Sequence, residues 1–122
     1  MTDEMGTAGA RGDTLHILWT TGDAATARHM VMMYARNSLL RGWWGGVTVV
    51  IWGAAQGLAA RDPAVQDEMR VLMNVGVKFS ACVSCAMALG VRADLEALGV
   101  EVIPWGQPLT DLLKGGAPLL TV

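Results

Sequence analysis

A disulfide framework is missing from this sequence. Its only two cysteines stand together as Cys82-Val83-Ser84-Cys85, and so few cysteines fit a reducing cytosol. One C-x-x-C supplies two of the four ligands of a structural zinc site. His16 falls in a predicted strand and His29 in a predicted helix, neither with ligand spacing, so no metal is expected without ligands from a second subunit. Charge is scarce as well: 16% of residues are charged, the net charge is −2 and no basic cluster occurs, which argues against nucleic acid as a partner. The longest apolar stretch, Val47–Ala60, is interrupted by Gly53, Gln56 and Gly57 and falls short of the roughly 20 residues of a membrane span. The N-terminus is polar and acidic, without the apolar core of a secretory signal, so a cytoplasmic location is expected. No G-x-G-x-x-G or Walker motif is present. Thr20–Thr26 makes a poor phosphate loop, because Trp19 and Ala24 stand where hydroxyls are wanted and Asp23 repels a phosphate. No flavin or other cofactor is expected.

What the chain does have is apolar material. A hydrophobic fraction of 52% over 122 residues exceeds what one small domain needs and points to buried subunit contacts. Met1–Asp13 carries no apolar period and reads as a disordered tail. From Thr14 to Val122 the chain reads as one domain in which strands and helices alternate. Strands are predicted at Leu15–Thr20, Val47–Trp52, Val77–Ala81, Val100–Ile103 and Leu119–Val122. Helices are predicted from Asp23, as N-cap, to about Leu40; from Asp62-Pro63 to Gly76; from Cys82 to Gly90; over Ala93–Leu98; and over Pro108–Lys114. This alternation, with largely apolar strands, argues for a parallel sheet covered on both faces. Right-handed crossovers then give an α/β, flavodoxin-like, doubly wound sheet of five strands, with expected order 2-1-3-4-5.

Ligands of such sheets bind beyond the carboxyl ends of the strands. The loops expected there are Thr20-Thr21-Gly22-Asp23, Trp52-Gly53-Ala54-Ala55-Gln56, Ala81-Cys82 and Pro104-Trp105-Gly106. A cysteine in the first turn of a helix faces unpaired backbone N–H groups and the positive end of the macrodipole, both of which favour thiolate. Cys82 therefore heads the chemistry, with Cys85 one turn further in. Packing is the competing account of both, since free cysteine often acts as a small hydrophobe. Trp52 and Trp105 either wall a pocket or pack over the sheet ends. Gly22, Gly53 and Gly106 supply turns through which backbone N–H groups can approach an anionic sulfur. Asp23 is most simply a cap. His29 is either a surface residue or a site residue, and Arg92 is a weak anion contact. Arg61, Asp62, Asp67, Glu68 and Arg70 read as a solvated face.

The first helix carries a second message. Ala27, Val31, Tyr34 and Ser38 form one face, while Met30, Met32, Met33, Leu39 and Leu40 spread apolar character around it. Trp43 and Trp44 follow directly. A monomer's surface helix needs only one apolar stripe, so a homo-oligomer is expected.

Several segments together resemble a known family. They are Thr21-Gly22-Asp23, Val49-Val50-Ile51-Trp52-Gly53, Gly76-Val77-Lys78-Phe79-Ser80-Ala81-Cys82, Leu98-Gly99-Val100-Glu101-Val102-Ile103-Pro104 and Leu119-Leu120-Thr121-Val122. The most specific element is a cysteine closing the third strand with a glycine eight residues on, Cys82 and Gly90. From about Thr14 to Val122 the chain resembles the DsrE/DsrF-like sulfur-relay proteins. The resemblance implies a flavodoxin-like fold, trimers or hexamers built from trimers, and donor and acceptor proteins as partners. It also implies that Cys82 accepts sulfane sulfur as a persulfide and passes it on. Cys85 lies outside that pattern. Two other functions stay open: a thiol–disulfide redox protein using the C-x-x-C, and a non-catalytic oligomeric module whose rim pocket holds a small ligand.

Overall fold

The computed structural model describes residues 13–122, so the tail expected over residues 1–13 lies, but for Asp13, outside the described residues. Strand β1, Thr14–Trp19, leads into helix α1, which continues through three segments: Ala24–Thr26, a π-helical Ala27–Met32, and Met33–Leu40. Then come β2 (Gly46–Ile51), α2 (Ala54–Arg61), α3 (Pro63–Asn74) and β3 (Lys78–Cys82). The chain closes with α4 (Val83–Leu89), α5 (Arg92–Leu98), β4 (Glu101–Ile103), α6 (Gly106–Lys114) and β5 (Leu119–Thr121). Local chemistry accounts for the boundaries. Asp62 accepts from the backbone N–H groups of Ala64 and Val65 at 3.0 and 3.1 Å, with Pro63 in the first helical turn. Gly90 takes a left-handed φ of 69° and ends α4, a conformation that costs an L side chain about 1–2 kcal/mol. The segment Trp52–Gln56, expected as a loop, turns helical at Ala54. Gly106, expected in a turn, is the first residue of α6.

All five strands join one parallel sheet in the order β4-β3-β2-β1-β5. The doubly wound α/β sheet is as expected, with one strand outside β1 and three in succession on its other side. The lone outer strand, however, is β5, where the order 2-1-3-4-5 places β2. The physical reason lies in the strands. Val47, Val49, Val50 and Ile51 of β2 are all buried, which suits the centre of the sheet. The three-residue β4 and β5 expose little unpaired edge and take the margins.

This order decides which face each helix covers. Steps from β1 to β2, β3 and β4 all move the same way across the sheet, so right-handed crossovers put α1 to α5 on one face. The return from β4 to β5 runs the other way and puts α6 alone on the second face. Strand alternation then splits the core. Ile17, Trp19, Val49, Ile51, Phe79 and Ala81 pack with the buried residues of α1 to α5. Val50, Cys82 and Trp105 form a separate cluster, with Leu109 and Leu112 of α6 packed against it. The sheet is thus covered on both faces, but the second cover is one helix with no fully buried residue.

Candidate functional site

Cys82 occupies the last position of β3, in register with Ile103 of β4. Its backbone is still extended (φ −70°, ψ 121°), and it serves as the N-cap of α4 without a hydrogen bond from its thiol. The N–H groups of the first turn therefore receive no acceptor from the capping side chain, an electropositive setting for sulfur. Cys82 is 5% exposed and sits with Val50 and Trp105, flanked by the partly buried Trp52, Cys85, Ile103, Leu109 and Leu112. Cys82, Cys85, Trp52 and Trp105, four of the residues expected at the site, are thus brought together. Both thiols are free, Cys82 buried and Cys85 half-buried.

Trp105 is fixed from below. Its Nε1–H donates to Ser80 Oγ at 2.7 Å, and Ser80 Oγ lies 3.0 Å from the Glu101 carbonyl oxygen, to which it donates. Trp105 so held is 6% exposed, and its ring lies edge-on to His16, with ring centroids 6.2 Å apart. Burial holds the His16 imidazole below its usual pKa, because the charged form loses solvation. Its Nδ1 is buried without a partner among the described residues.

One structural residue of the site escaped the sequence reading. Gln56 is fully buried, and its Nε2 donates to the carbonyls of Ile51 at 3.0 Å and Cys82 at 3.1 Å. It pins the ends of β2 and β3 to each other directly beneath the cysteine. Its Oε1 has no partner among the described residues. The available signal was its position as the one amide side chain of the apolar stretch Val47–Ala60. Gly53, at φ 67° and ψ −139°, makes the turn that admits Gln56 to this position.

Thr21, Gly22 and Asp23 sit at the same carboxyl edge of the sheet but serve a different purpose. Asp23 caps α1: its Oδ2 accepts from the Thr26 N–H at 2.8 Å and the Thr26 hydroxyl at 2.7 Å. Both bonds lower its carboxyl pKa. Thr21 Oγ1 accepts from the Asp23 N–H at 3.1 Å. A Cβ on Gly22 would come within 3.1 Å of the Ala54 Cβ, so glycine lets this turn approach α2. These three residues build the frame, and none belongs to the cluster around the thiols. Among the described residues, no three His, Cys, Asp or Glu side chains converge as a metal site would require.

The structure is similar to that of BT1422, a conserved protein of unknown function from Bacteroides thetaiotaomicron. The two are 40% identical with a TM-score of 0.88 over 90% of this chain and 95% of that one. MTH1491, a protein of unknown function from Methanobacterium thermoautotrophicum, is 20% identical with a TM-score of 0.68, covering 89% and 97% of the two chains. The ychN protein from E. coli is 14% identical with a TM-score of 0.65, covering 91% and 99%. At those identities the last two bear on the fold alone. No family model and no curated protein matches the chain.

Proposed function

We propose a function for a chain that belongs to the same family as the Bacteroides thetaiotaomicron protein: it is a cytoplasmic sulfur carrier of the DsrE/DsrF type, with Cys82 as the carrying residue. The observation that supports this most is the placement of Cys82 at the end of β3, capping α4, among Trp52, Trp105 and Cys85. In the proposed step the Cys82 thiolate attacks the outer sulfur of a donor persulfide. The bond from Cys82 Sγ to that sulfur forms, the donor S–S bond breaks, and the donor leaves as its thiolate. An acceptor thiolate then attacks the outer sulfur of the Cys82 persulfide, and Cys82 leaves in turn. Neither transfer changes the net oxidation state. The surrounding indoles and aliphatic side chains keep water from the sulfur, which protects a reactive persulfide.

The test is intact mass after incubation with a low-molecular-weight persulfide. An adduct of about 32 Da on Cys82 is expected, the mass of one sulfur. A loss of about 2 Da spanning both cysteines would instead identify a dithiol redox protein. That second reading has one observation in its favour: Cys85, three residues on, shares the Cys82 cluster. An unchanged mass would reject both and leave a ligand-binding module.

The proposal includes a homo-oligomer, a trimer or a hexamer. It is supported by large exposed apolar side chains at Trp43, Met87, Leu89 and Leu113 and by the thinly covered second face of the sheet. Light scattering at micromolar concentration should show no monomer, and a single monomeric species would reject this part.

A further inference from the structure

On the face of the sheet opposite Cys82, α1 and α3 run side by side and enclose a cleft of about 240 Å³. Its floor is apolar and buried, from Met32 and Leu72. Its lips stay open: Met33 is 45% and Val71 49% exposed. Met33 and Val71 are two of the nine large exposed apolar side chains among the described residues. Exposed apolar side chains over an apolar floor mark interaction surfaces.

Two features point to the chemistry of the occupant. The first is charge. Arg28, His29 and Arg36 stand around the cleft against the single carboxylate of Glu68, and Arg28 takes that carboxylate at 2.8 Å. Arg36 has no ion-pair partner among the described residues. A locally cationic groove thus lies on a chain of net charge −2. The second is the backbone: Ala27–Met32 of α1 is π-helical at this cleft. π-helical turns are rare and concentrate at functional sites.

We propose that this groove docks an amphipathic helix of a partner protein, with apolar anchors on one face and carboxylates along its flanks. The parallel lips of two helices suit helix-in-groove recognition, read as anchors at i, i+3 or i+4, and i+7. Arg36, which has no ion pair among the described residues, selects an acidic flank. Two copies docked groove to groove would set cationic surface against cationic surface, which disfavours a two-fold dimer here. The groove is separate from the Cys82 cluster, so its occupancy does not depend on the sulfur reading.

The test uses the full chain and a stapled, fluorescent helix of about 14 residues, long enough to follow the roughly 18 Å of α3. The helix carries leucines at the anchor positions and glutamates on its flanks, and its control has lysines in place of the glutamates. Anisotropy should show binding of the glutamate helix alone. Its affinity should weaken on raising salt from about 50 to about 300 mM, and by about tenfold in Arg36→Glu and in Val71→Ser. Arg36→Gln serves if the charge reversal does not fold. Equal binding of the lysine helix, or unchanged affinity in the variants, overturns the proposal. A changed oligomeric mass in Arg36→Glu also overturns it, by showing that a second copy fills the groove. Sulfur loading of Arg36→Glu, measured by mass, should equal that of the unaltered chain, which separates failure here from failure at Cys82.

Discussion

The two faces of the sheet are made by the same five strands and differ in nearly everything else. The first face is sealed by α1 to α5, and its strand residues Ile17, Trp19, Val49, Ile51 and Ala81 have no exposed surface. The second face carries His16, Val50, Ser80 and Cys82 beneath one helix, tied down through the Trp105–Ser80 hydrogen bond and the apolar contacts of Leu109 and Leu112. One face holds the fold together, while the other keeps polar and nucleophilic groups under a single, partly buried helix. Stability and reactivity make opposite demands on packing, and the crossovers separate them to opposite sides of one sheet.

The sharpest way to break this comparison is at the thiol itself. Cys82→Ser should abolish persulfide loading, whereas Cys85→Ser should reduce it partly or not at all, because the favourable field of a helix terminus fades within a turn. Full loading of Cys82→Ser, read by mass, would remove the chemistry from the second face.

Stability should divide next. Ile17→Ala on the sealed face opens a cavity that cannot collapse and should cost about 2–5 kcal/mol in denaturant unfolding. Leu112→Ala, on the half-covered α6, should cost less, on the order of 1 kcal/mol, since its site is already partly open to water. Equal losses would mean that α6 seals its face as firmly as the other five helices seal theirs.

Access is the smaller effect. With Cys82 buried at 5% exposure, reagents should reach its thiol slowly. Trp52→Ala should therefore raise the rate of Cys82 alkylation several-fold, while unfolding stability changes little. An unchanged rate would show that Trp52 is not part of the cover.

The smallest effect expected is a pH dependence that belongs to the second face alone. His16 is held below its ordinary pKa by burial, so the folded state favours the neutral ring. The resulting stability is present above the unfolded value of about 6.5 and is lost as pH falls through the lower folded value. Unfolding between pH 7 and about 5 should reveal this loss, and His16→Gln should flatten it. A curve that His16→Gln leaves unchanged would place the titration elsewhere.

Much of this architecture was legible in the sequence because it rests on local chemistry. Asp23 and Asp62-Pro63 announce helix starts, Gly90 announces a stop, and the β-branched run Val47–Ile51 announces a strand. The position of Cys82 at a strand-to-helix junction follows from the same signals. Helix α2 was hidden because Ala54-Ala55-Gln56-Gly57 carries no amphipathic period of its own and owes its helicity to packing. The π-helical turn of α1 leaves no composition signal at all.

Sequence by itself therefore determined all five strands, every helix but α2, and the cysteine at the carboxyl edge, since each depends on neighbours within a few residues. Tertiary structure alone decided that β5 rather than β2 lies outside β1, because strand order is set by which strands can afford an open edge. It decided that five helices share one face and α6 has the other, because handed crossovers convert strand order into sidedness. It also decided that Gln56 would reach the Cys82 carbonyl and that Trp105 would stand on Ser80. Those partners are 26 and 25 residues apart in the chain, and only the closed sheet brings them within hydrogen-bonding distance.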